Sequence, residues 1–155
     1  MHAVAFSMQF QGSTKLLSPD VLTAQASAPS GAQVTRIDRG GVHCTFEVRD
    51  GGEALLERRL TFVDAARFEE VGTISFGNGH ALRFRSVDPG SLVRASDSLR
   101  HGTVAWEIDG GSGAFAGAIG RIVSNFLLAD TGELTDRELG VLFLTDDTRR
   151  HDDRT

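Results

Sequence analysis

The stretch TISFGNGHALRFR, residues 73–85, sets the fold class. Ile74 and Phe76 alternate with Thr73 and Ser75; after a break, Leu82 and Phe84 alternate with Arg83 and Arg85. Apolar residues at every second position turn one face of an extended chain into a core and leave the other to water. Between the two runs lies Gly77-Asn78-Gly79. An Asn-Gly step suits a type I′ turn, which needs positive φ at both central residues. The segment reads as a β-hairpin.

The same rhythm continues in both directions. Phe6, Met8 and Phe10 alternate with Ser7 and Gln9, and Val42, Cys44, Phe46 and Val48 with His43, Thr45, Glu47 and Arg49. Val104, Trp106 and Ile108 form another such face. So do Ile122, Ser124, Phe126 and Leu128, and Leu139 to Leu144 is almost wholly apolar. Asp50-Gly51-Gly52, Asp88-Pro89-Gly90, Asp109-Gly110-Gly111 and Thr131-Gly132 have turn chemistry, the first reading as a hairpin. Residues 12–32, small and polar with two of the three prolines, predict a long loop placed to act as a lid. Residues 91–100 are weakly patterned, and Asp64–Glu70 is the one candidate for a short helical turn.

About eight short strands predict a single all-β domain over 1–145, an antiparallel barrel with an apolar interior. A barrel is preferred to a sandwich because each strand has one bulky apolar face and none shows the repeated Pro or Lys of a protected edge. Residues 146–155, charged throughout, are expected to be a disordered tail.

Net charge is −5 and no basic stripe is present, which argues against nucleic acid and anionic membranes as partners. The N-terminus lacks the pattern of a signal peptide, and no stretch approaches the ~20 apolar residues of a membrane helix. With one cysteine, Cys44, there is no intramolecular disulfide, and the chain is expected to be cytoplasmic. Cys44, on an apolar face, reads as an inert buried side chain. The five histidines are scattered without ligand spacing, so neither a metal nor another cofactor is expected.

Gly111-Ser112-Gly113-Ala114-Phe115-Ala116 fits a dinucleotide fingerprint, but the glycine-rich residues that follow are poor helix material and no βαβ pattern surrounds them. Ser112 in Gly110–Ala114 approaches a nucleophile elbow without its strand-to-helix context and reads as a turn residue.

The longer run Gly110-Gly111-Ser112-Gly113-Ala114-Phe115-Ala116-Gly117-Ala118-Ile119-Gly120 resembles the glycine-rich signature of the allene oxide cyclase and dirigent barrel superfamily. The strand from Arg121 to Phe126 and the final Gly140–Leu144 are similar as well, so the resemblance covers roughly residues 100–145. It implies a calycin-like barrel of about eight strands, often a dimer or trimer, whose pocket holds a reactive, flexible substrate in one conformer. Small bacterial polyketide cyclases share that logic. Catalysis of this kind works by proximity and exclusion of water and needs no acid–base motif.

The resemblance leads to a cofactor-free cyclase for a hydrophobic polyketide- or epoxide-type intermediate. Phe6, Met8, Phe46, Phe76, Phe84, Trp106 and Phe126 would shape the pocket. Ser124 or Asn125 would supply the catalytic hydrogen bond. The alternatives are a non-catalytic carrier of small apolar ligands and a filled barrel serving as an oligomeric module.

Overall fold

The computed structural model describes residues 1–146. Nine antiparallel strands form one sheet: β1 (His2–Ser18), β2 (Val21–Asp38), β3 (Gly41–Phe62), β4 (Arg67–Ser75), β5 (Ala81–Ser86), β6 (Gly90–Ser96), β7 (Leu99–Ser112), β8 (Ile119–Ala129) and β9 (Glu133–Leu144). They follow the order β3-β2-β1-β9-β8-β7-β5-β4, and pairing of β3 with β4 closes the sheet into a barrel-like ring. One of the eight positions in the ring, between β7 and β4, is shared. β5 bridges one end of β4 and β7, and β6 bridges the other. The expected tail lies, beyond Asp146, outside the described residues.

The hairpin at 73–85 forms as its sequence dictates. Asn78 and Gly79 take φ of 53° and 78°, and the His80 amide donates to the Gly77 carbonyl at 3.0 Å. Strand alternation then turns Leu22, Ala24, Ala26 and Ala28 of β2 inward, with Leu56 and Leu60 of β3, Phe68 and Ile74 of β4, and Ile122, Phe126 and Leu128 of β8. Three inward cross-strand pairs set a glycine opposite a phenylalanine: Gly72↔Phe84, Gly90↔Phe68 and Gly102↔Phe126. A Cβ on these glycines would meet the facing ring at 2.4, 2.5 and 2.0 Å, so each ring lies flat over bare backbone.

Residues 12–32 are not a loop. They form the second half of β1 and the first part of β2, paired from Gln11↔Ser27 to Ser18↔Val21. The inward positions of β2 hold the small residues Ala24, Ala26 and Ala28, which is why the segment reads as featureless. Nor is Asp64–Glu70 helical: Asp64 Oδ1 accepts from the amides of Ala66 and Arg67, making a tight turn from which β4 departs at Arg67. Residues 90–96, weakly patterned in sequence, are β6.

Asp50-Gly51-Gly52 is a bulge rather than a hairpin. Val48 pairs with Gly31 and Glu53 with Pro29, so residues 49–52 loop out of the ladder. β2 leaves β1 past Ser27, and Pro29, at the register shift against β3, has no N–H to give. β2 and β3 continue as a two-stranded arm from Gly31↔Val48 to Asp38↔Gly41, none of whose residues is buried. Val42, Cys44, Phe46 and Val48 do share a face, but it is the arm's, and Val42 and Val48 are 65% and 69% exposed. Cys44 is therefore an exposed thiol, not a buried one.

Candidate functional site

The interior of the ring is not purely apolar. Arg58 on β3, Glu70 on β4, Ser124 on β8, and Asp136 and Glu138 on β9 are all buried. Each sits in the inward phase of its strand: Arg58 between Leu56 and Leu60, Glu70 after Phe68, and Asp136 and Glu138 between Leu134 and Leu142. Period-two geometry turns them inward regardless of their polarity.

Arg58 is the hub. Its Nε and Nη2 donate to the two oxygens of Glu70, the latter at 2.9 Å, and Nη1 donates to Asp136 Oδ2 at 2.8 Å. Ser124 Oγ donates to Asp136 Oδ1 at 2.6 Å and accepts a longer bond from Arg58 Nη1 at 3.4 Å. Trp106 Nε1 donates to Glu70 Oε2 at 3.1 Å. The guanidinium lies 5.2 Å from the Trp106 ring and 4.6 Å from that of Phe126, and Phe84 stacks on Trp106 at 3.8 Å. Burial works against the Arg58 cation, but Glu70 and Asp136 outweigh it and its pKa is raised. Burial also raises the Glu70 carboxyl, with Arg58 opposing.

Glu138 stands apart. Neither of its carboxyl oxygens has a hydrogen-bond partner, and the side chain has no solvent exposure. Burial pushes its pKa well above the usual carboxylate range; the neighbouring Asp136 adds to the shift, and Arg58 only partly opposes it. The arrangement is a buried carboxyl beside Asp136 whose neutral form burial favours, a group able to donate a hydrogen bond or a proton. Among the described residues no three His, Cys, Asp or Glu side chains converge as metal ligands, and between Glu70 and Asp136 the cation is Arg58.

A cleft opens beside Met8, the cross-strand partner of this acid. Beyond Gln11↔Ser27 the strands β1 and β2 part, and a cavity of about 360 Å³ opens between Ser7 and Met8 on one side and Ala28, Pro29 and Ala54 on the other. Met8 is the cross-strand partner of Glu138 and packs against the core. Ser7 Oγ, in the same cleft, and Arg100 Nε, at the cavity near Asp20 and Asp64, are likewise buried without a partner.

The residues singled out in sequence fare unequally. Phe6, Phe84, Trp106 and Phe126 are buried inside the ring, and Met8 and Phe76 line the cleft. Phe46 lies on the arm, outside the ring, with its ring over Gly31. Ser124 faces inward, but Asn125 is exposed on the outer face because neighbours on a strand point opposite ways. Ser112 donates to the Gly79 carbonyl at 2.7 Å, a turn contact. The glycine run that follows makes a single 3₁₀ turn, Gly113–Phe115, and no longer helix for a nucleotide. Arg58, Glu70, Asp136 and Glu138 escaped the sequence reading; what marks them is a charge in the apolar phase of an alternating strand.

No protein-family model matches the chain, and no curated protein matches it. Fold and site together define a closed all-β sheet with a buried ionic cluster and one unpaired acid.

Proposed function

We propose that the ring's interior is a small-molecule site and that the protein is a cofactor-free cyclase or isomerase acting on a hydrophobic substrate, in an allene oxide cyclase-like barrel. The carrying observation is Glu138, a buried carboxyl with both oxygens unpartnered behind the Met8-lined cleft. In this reading Glu138 gives its proton to a carbonyl or epoxide oxygen. With an epoxide, the breaking C–O bond leaves its electron pair on that oxygen, a C=C bond of the same molecule attacks the electron-poor carbon, and a ring forms. A carbon-bound proton then returns to the Glu138 carboxylate, so atoms balance and the product is an isomer. The phenyl rings of Phe6 and Phe126 and the side chain of Met8 hold the chain folded. Ser124, already bonded to Asp136, serves to fix the polar cluster rather than to meet substrate.

The test is a titration of the purified protein with an environment-sensitive apolar dye, joined to mass spectrometry of co-purified molecules. One saturable site per chain, with the Trp106 emission changing in step, supports the reading; Glu138→Gln should then keep binding and lose turnover. No saturable binding overturns it.

A second reading rests on packing. Trp106, Phe10, Phe68 and Phe126 have 0–1% exposure. That favours a filled barrel acting as a structural module, expected in solution as a homo-oligomer, and it predicts that no dye binds at all.

A further inference from the structure

The second half of β9 reads as a strand buried on both faces, yet the ring covers only one. A sheet face open to water alternates apolar with polar residues, whereas Leu139 to Leu144 is almost wholly apolar. Leu142 points into the core; Leu139, Val141 and Phe143 point out. On the neighbouring β8, Val123 and Ile119 stand beside Leu139 and Phe143. All five outward residues are 40–64% exposed. Together they form roughly 400 Å² of contiguous apolar surface, about the apolar share of one side of a standard-size interface. The patch is bounded: the next row is Gln9, Arg137 and Asn125, and Arg121 and Glu107 lie toward β7. Residues 147–155, which follow it in sequence, contain no apolar side chain to lay over it.

We infer that this outer wall of β1, β9 and β8 is the docking surface for a second copy of the chain, in a two-fold dimer. The wall is self-complementary in relief. Beside the large side chains of β9, β1 offers alanines: Ala3 pairs with Phe143 and Ala5 with Val141, and both alanines are exposed. A two-fold axis along the β1–β9 seam lays the β9 ridge of each copy in the alanine groove of the other, the two sheet faces stacking about 10 Å apart. A patch that meets its own copy closes after two chains and leaves no apolar wall open. A net charge of −5 argues against an anionic bilayer as the cover instead. The inference does not depend on how the interior of the ring is used.

The experiment is sedimentation equilibrium of the full chain over a wide dilution series, for the wild type and for Leu139→Glu, Ala5→Arg and Val42→Glu. All three positions are exposed in a single chain, so each variant should fold, as circular dichroism and Trp106 emission will show. The wild type should sediment at twice the 16.6 kDa of one chain, and so should Val42→Glu, whose charge lies on the arm. Leu139→Glu and Ala5→Arg should be folded monomers that associate at least about a hundredfold more weakly, because the dimer would bury each new charge unpaired. A wild-type protein that stays a single chain at every concentration, or assembles in threes, overturns the inference. So does a dimer that both wall variants leave intact or that Val42→Glu breaks, since the contact then lies elsewhere. A wild-type monomer that binds phosphatidylcholine vesicles, with Leu139→Glu abolishing the binding, makes lipid the cover and overturns it as well.

Discussion

Met8 on β1 and Glu138 on β9 are direct cross-strand partners inside the ring, and only Met8 also lines the β1–β2 cleft. An unbranched, adaptable thioether thus stands between water and a buried acid. Met8→Ala should shorten that barrier and speed dye binding several-fold in stopped-flow fluorescence. Because Met8 is only half-buried, the cost in urea unfolding should be about 1–2 kcal/mol, below that of a core truncation. An unchanged rate would place the access elsewhere, with the β5–β6 seam next to be tried.

Glu138 should make the protein more stable in mild acid than at neutral pH. Its pKa is raised by burial, so between the ordinary carboxylate value and its folded value the native state keeps a proton that the unfolded chain has lost. Stability therefore falls as pH rises through that window. Glu70, raised in the same direction, adds to the fall. Asp64 and Asp146, held low by hydrogen bonds, act oppositely, but both are exposed and weigh little. Melting curves from pH 4 to 8 should slope downward for the wild type and flatten in Glu138→Gln. Glu138→Leu, which removes the unpaired polar atoms, should raise stability at pH 7 by roughly 1–3 kcal/mol. Parallel slopes in wild type and Glu138→Gln would mean that Glu138 finds partners and is not the proton holder.

Arg58→Met should be among the most damaging substitutions. It leaves Glu70 and Asp136 buried without their cation, a loss of about 3–5 kcal/mol for a broken buried pair. Arg58→Met combined with Glu70→Gln and Asp136→Asn should recover much of that loss, because no uncompensated charge remains. Urea midpoints of the two variants decide the matter; equal midpoints would show that Arg58 contributes packing alone.

Cys44, on the exposed arm, should react with a thiol reagent in the native protein at a rate near that of the unfolded chain. A protected thiol would mean that the arm's apolar face is covered in solution.

How much of this was legible in sequence depends on which signal each feature used. Period two placed Phe84, Trp106, Ser124 and Phe126 inward, because alternation is a property of the strand and survives any topology. It also misled at Cys44 and Phe46, since alternation identifies two faces without saying whether either meets a core. Pro29 and the Gly51-Gly52 pair decide that point by turning β2 and β3 away from the ring, and turn chemistry cannot distinguish a hairpin from a bulge. The 12–32 segment failed for a different reason. Its inward residues, Ala24, Ala26 and Ala28, are buried although small, and that burial is a long-range fact absent from local composition. Arg58, Glu70, Asp136 and Glu138 could have been found by asking which charges fall in an apolar phase, but their convergence on one guanidinium belongs to the closed sheet.

Gly102 tests whether the Gly–Phe pairs hold the polar cluster in place. Gly102 is buried opposite Phe126, and a Cβ there would lie 2.0 Å from the ring. Phe126 in turn covers the Arg58 guanidinium at 4.6 Å and meets Phe68 edge-on at 5.9 Å. Gly102→Ala must therefore push the ring toward Arg58 or out of its rotamer, an overpacking cost of about 1–3 kcal/mol. The displacement should also reach Trp106, which shares the guanidinium and donates to Glu70, and so shift its emission. Gly102→Ala paired with Phe126→Leu should restore the stability, because the smaller side chain vacates the space the methyl needs. If the single variant melts like the wild type, the ring can yield at no cost, and the bare backbone opposite Phe126 is not a packing requirement.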